Sequence, residues 1–135
     1  VLFLLPRSLS AESDSPQKDP YLQERIATGI DAMYAMRYAE AARAFDDIIA
    51  KYPTEPTGYF FRSQIHLWKF LFDYSETDYR LFLQACDKAI SVAEISLKQR
   101  PDNTFAQTIV GAVYGFRAMA NGLAVIANRG DGEAG

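Results

Sequence analysis

The chain has 135 residues, enough for one domain with its own core, and 49% of them are hydrophobic and 13% aromatic. A formal charge of −3, with Lys and Arg scattered along the chain, leaves no basic footprint for nucleic acid and nothing to attract an anionic membrane surface. One cysteine, Cys86, and one histidine, His66, exclude an internal disulfide, a cysteine zinc cluster and a His-pair metal site. A carboxylate-only cation site stays open, although no EF-hand-like loop is present.

Residues 1–5, VLFLL, are a short apolar run, followed by Ser8, Leu9 and Ser10 in a small-x-small pattern and then a polar, Ser/Asp/Pro-rich stretch. This reads as the rear half of a secretory signal peptide and its cleavage zone. Residues 1–19 are therefore expected to be a leader remnant and a flexible arm. The protein is expected to be exported to the periplasm or cell envelope, with an ordinary N-terminal arm and a cytoplasmic location as the alternative. A free cysteine is tolerable there only if buried.

From residue 19 to residue 53 the chain reads as two helices and a tight turn. Asp19 can cap the first, and Pro20 suits the first helical position, where no N–H is needed. Leu22, Ile26, Gly29, Ile30 and Met33 recur on one face. After a turn near 36–38, Tyr38, Ala41, Ala42, Phe45, Ile48, Ile49 and Tyr52 continue at gaps of three and four until Pro53. Two helices cannot bury such a face alone.

A third helix is expected over 55–72, capped by Thr54. It is apolar nearly all round and so packs on more than one side. Ser75, Glu76, Thr77 and Asp78 predict a fourth helix start with an acidic first turn, running over 77–99. Its inner face is Tyr79, Phe82, Cys86, Ala89, Ala93, Ser96 and Leu97. Asp102 or Asn103 caps a fifth helix over 104–128, with a Gly-rich tail, 130–135, as its frayed end. Gly111, Gly115, Ala118 and Gly122 share one face of it and would let another backbone approach closely. The fifth helix is long enough to cross a bilayer, but Arg117, Asn121 and Gln107 interrupt it. A buried helix of a soluble domain is the expectation, and a membrane span is not.

Small residues and prolines recur. Ala41, Phe45 and Pro53 have the same spacing, four then eight, as Ala89, Ala93 and Pro101. Gly29, Ser63 and Gly111 are the small residues of the three odd-numbered helices, and Tyr114 follows Gly111 by three. Through Gly29, Ala41, Phe45 and Pro53, residues 22–55 resemble the tetratricopeptide repeat, a 34-residue helix–turn–helix unit. Ala32 departs from the aromatic the family often has there. Pro53 and Pro101 are 48 apart, so the second unit would carry about 14 extra residues, expected as extra helical turns around 73–78. A third unit offers only its first helix.

The resemblance covers roughly 20–129 and implies an all-α, right-handed antiparallel helical-repeat array of about five helices; a plain helical bundle is the alternative. It further implies a protein–protein interaction or scaffold module binding a peptide segment or partner subunit, with no cofactor and no catalysis. The partner groove would be lined by Tyr34, Phe60, Gln64, Trp68, Phe105, Thr108 and Phe116, with Lys69 and Arg117 at its margin. The family's carboxylate-clamp positions hold Ile26, Ile30, Phe61 and Ile109 here, which argues against gripping a chain terminus. Gly111, Gly115, Ala118 and Gly122 would form a helix-packing or assembly face, with a homo-oligomer through the last helix as one outcome. A carrier with an apolar pocket between helices three, four and five is the runner-up function.

Overall fold

The computed structural model describes residues 16–133. The leader-like run 1–10 lies outside them. Among the described residues the fold is all-α, with no strand: α1 (Pro20–Tyr34), α2 (Tyr38–Lys51), α3 (Thr57–Asp73), α4 (Glu76–Gln99) and α5 (Thr104–Glu133). A 3-10 turn, Pro16–Lys18, precedes α1 and buries Pro16, so the expected flexible arm ends earlier than residue 19. Pro16 is held because its carbonyl accepts from the Asp19 N–H at 3.1 Å.

Local chemistry sets most boundaries. Asp19 Oδ1 accepts from the Tyr21 N–H at 2.9 Å, and Pro20 opens α1 without wasting a donor. Ser75 caps α4 by accepting from the Asp78 N–H, and Asn103 Oδ1 accepts from the Ala106 N–H at 3.2 Å to cap α5. Met36, after α1, and Tyr74, after α3, both adopt left-handed backbone, with φ of 60° and 54°. Such a conformation costs a non-glycine residue about 1–2 kcal/mol.

Two expectations need correction. Thr54 does not cap α3; the helix begins at Thr57 after Pro56, with no side-chain cap. Glu55 instead turns inward, buried, onto Arg100 at the far end of α4. On either side of the turn at 74–75 the helices are longer than in the first hairpin: α3 has 17 and α4 24 residues, against 15 in α1 and 14 in α2. The Gly-rich run after Arg129 does not end α5, which continues to Glu133. Glycine weakens a helix by only about 1 kcal/mol per position, too little to stop one on its own.

Successive helices run antiparallel. Asp19 at the start of α1 pairs with Lys51 at the end of α2 at 2.7 Å, and Tyr79 at the start of α4 donates to Asn121 late in α5. Each helix packs chiefly on its sequence neighbours; α1 also touches α3, and α3 touches α5. Two cores result. Leu22, Ala32, Met33, Ala41, Phe45, Ile48 and Ile65 form one between α1, α2 and α3. Leu67, Phe70, Phe82, Cys86, Ile90, Ile109 and Val113 are central to the other, between α3, α4 and α5. The all-round apolar α3 is the shared wall, as its sequence requires.

The Asp19 clamp predicts an acid sensitivity. Hydrogen bonds from Lys51 and Tyr52 hold the Asp19 carboxyl at about 2, below its ordinary 3.8. A folded-state pKa below the unfolded one means stabilisation that is complete above about pH 4 and is lost as pH falls towards about 2. Asp19→Asn should flatten that limb of the stability–pH curve in urea titrations and leave it unchanged near pH 7 relative to its own plateau.

Candidate functional site

α3 touches both α1 and α5, and aromatic rings meet across these contacts. Tyr34 ends α1 and is 59% exposed, and its ring lies 4.8 Å from that of Trp68 on α3. Phe60, two turns earlier on α3, lies 6.2 Å from Phe116 on α5. Gln64 sits between them, four residues from each of Phe60 and Trp68, so helical period puts all three on one stripe of α3. Gln64 Nε2 donates to Ser63 Oγ at 3.2 Å.

At the Trp68 end the surface is concave. Met36, Trp68, Leu71 and Phe72 enclose a cleft of about 140 Å³. Phe72 is 73% exposed and Met36 is 51% exposed. Met36 and Phe72 were not legible as site residues. The first sits in a turn and the second on a helix with no polar face, where every apolar residue looks like core. The only signal was that excess of apolar residues on α3 itself.

Phe105 is half-buried and, like Phe60, packs against the core of α3, α4 and α5. Thr108 is exposed and donates its hydroxyl to the Thr104 carbonyl at 2.8 Å. Eight residues along α5 separate it from Phe116, the same offset as between Phe60 and Trp68 on α3. The expected marginal charges are engaged by even-numbered helices: Lys69 with Asp78 at 3.4 Å, and Arg117 with Asp87 at 2.7 Å.

The assembly-face residues are open. A Cβ added at Gly111, Gly115 or Gly122 would meet nothing within 4 Å, and Ala118 is exposed. The expectation of a buried fifth helix is overturned. The stretch Thr104–Gly130 is long enough to cross a membrane and its most apolar 18-residue window has mean hydropathy 1.5, yet only 17% of that window is buried. Ala106, Ile109, Val113 and Ala120 pack inward, and nothing in the described chain covers the opposite side.

Other candidates have structural partners. Asp73 accepts from the Ser75 N–H, Glu76 pairs with Arg80, and Asp78 with Lys69. No group of three potential metal ligands gathers among the described residues. Burial pushes the Cys86 thiol up to about 11, which keeps it protonated and unreactive at neutral pH. Burial lowers the pKa of His66, helped by Arg62 and Lys69 and opposed by Asp78, so the ring is neutral at pH 7. A second cleft, about 290 Å³, lies where the end of α3, the start of α4 and the later part of α5 meet. Tyr74, Ala124 and Ala127 line it together with Glu76, Arg80 and Asn128.

Comparison with protein-family models, with curated proteins and with solved structures gave no match.

Proposed function

We propose that this chain is a binding module of tetratricopeptide-like design that holds an apolar segment of a partner protein against α1 and α3. The observation that carries the reading is a cluster in which exposed Tyr34, Met36 and Phe72 surround half-buried Trp68 and Leu71. Aromatic side chains in a shallow cleft are the usual anchors of protein recognition. Exposing them to solvent has no stability rationale, and Met36 holds its place in left-handed backbone where glycine would be cheaper.

The repeat-array reading draws support from three observations. Two successive cores share only α3. Contacts follow chain order. A left-handed residue recurs after both α1 and α3. A location in the envelope, suggested by residues 1–10, belongs to the same proposal. The carrier reading is less favoured. The cleft between α3, α4 and α5 is at the small end for a ligand site, roughly 300–1,000 Å³, and charged side chains form part of its wall.

Trp68 is the one tryptophan, so its emission reports directly on the cleft. Peptides selected against the chain from a random display library are expected to shift Trp68 emission to the blue and saturate. Phe72→Asp and Tyr34→Ala should each weaken that binding at least tenfold, with melting temperature nearly unchanged, because both side chains are largely exposed. Selected peptides that bind both variants as well as the parent would reject this site.

A further inference from the structure

We propose that the solvent face of α5 is a dimer interface, on which α5 of a second copy of this chain lies antiparallel. Thr104, Thr108, Gly111, Gly115, Ala118, Gly122 and Val125 alternate at gaps of four and three, and all are exposed. That 3.5-residue period is the spacing of a helix seam, sustained here for three heptads without a charge. Large apolar side chains flank the seam: Met119 and Ile126 on one side and Tyr114 on the other, all exposed. The backbone at its centre is bare, since a Cβ at Gly111, Gly115 or Gly122 would meet nothing within 4 Å. Arg117, the one charge in the middle of the helix, is drawn away to Asp87 on α4.

The size and the charges favour a second copy in one orientation. From residue 104 to residue 129 the helix is about 40 Å long. A facing helix would cover on the order of 600 Å² on each copy, the lower bound of standard specific interfaces. A two-fold axis near residues 116–117 sets Gly115 opposite Ala118, Gly111 opposite Gly122 and Thr108 opposite Val125. A parallel pair would set Arg129 against Arg129, and antiparallel helix dipoles attract. A bilayer is the weaker occupant. Glycine, threonine and alanine give lipid little to bury, and α4, packed along α5, bears Asp87, Lys88 and Glu94 on its exposed side.

The test uses the whole 135-residue chain in light scattering and sedimentation over a concentration series up to about 100 µM. A reversible dimer is expected, and Gly115→Leu should be monomeric at every concentration. Its helicity should be unchanged, because the added side chain starts in open space. Mixing Gly111→Cys with Gly122→Cys should give a disulfide-linked heterodimer, whereas neither variant alone should cross-link efficiently. Three results overturn the proposal: a wild-type monomer at the highest concentration, a Gly115→Leu variant that stays dimeric, or monomeric protein that floats with neutral phosphatidylcholine vesicles. Efficient cross-linking of Gly111→Cys alone would overturn the antiparallel arrangement.

Discussion

Phe45→Ala is expected to lower the unfolding free energy by about 3–5 kcal/mol, measured from urea or guanidinium transitions. The Phe45 ring is fully buried and sits where α1, α2 and α3 converge, 5.5 Å from the stacked ring of Phe61. Removing it deletes apolar burial and leaves a cavity that three helix backbones cannot close around. A domain of this size has about 5–15 kcal/mol in total, so the variant should be near the edge of folding at 37 °C. A loss below about 1 kcal/mol would show that the first core does not depend on this ring.

Gly29→Ala is expected to cost about 1–3 kcal/mol, although alanine is the better helix former by about 1 kcal/mol. A Cβ at Gly29 would stand 2.2 Å from Phe45 Cε1 and 2.5 Å from Cζ. The ring is enclosed, so it cannot rotate away without displacing Phe61 or opening the α1–α2 pair. The two predictions are coupled, and the coupling is the sharper test. With Phe45 truncated to Ala, the space beside residue 29 opens and Gly29→Ala should turn stabilising, by up to about 1 kcal/mol. Additive effects in the double variant would mean that α1 and α2 do not approach as closely as the ring contact requires.

Gly29 was legible because its spacing to Ala41, Phe45 and Pro53 marks a close helix pair. Gly58 was not. It lies in the first turn of α3, where a small residue carries no message. Yet an added Cβ there would stand 2.9 Å from the Ile49 backbone nitrogen. The reverse holds on α5. Gly111, Gly115 and Gly122 have the spacing of a packed face and face nothing in the described chain. Periodicity identifies which side of a helix is apolar or small, but not what covers that side, because the covering atoms are distant in sequence. The candidate site divides the same way. Tyr34, Gln64 and Trp68 were implied by the resemblance to the tetratricopeptide repeat, matched position by position. Their joining with Met36 and Phe72, and the packing of Phe60 and Phe105 on the second core, depend on how far α1, α3 and α5 are rotated against one another.

The local signals were enough to define five helices, the caps at Asp19 and Ser75, a cap at Asp102 or Asn103, and the α1–α2 hairpin, since caps and the three-to-four residue period act within one or two turns of chain. Tertiary packing alone decided that Glu55 leaves the start of α3 to meet Arg100, that Tyr34 meets Trp68, and that α5 lies half-covered with an uncharged face outward. Each of these depends on contacts between groups some 30 to 45 residues apart, such as Tyr34 with Trp68 and Glu55 with Arg100. Such contacts form only after the helices have settled their offsets to fill two cores, and no short stretch of sequence carries that sum.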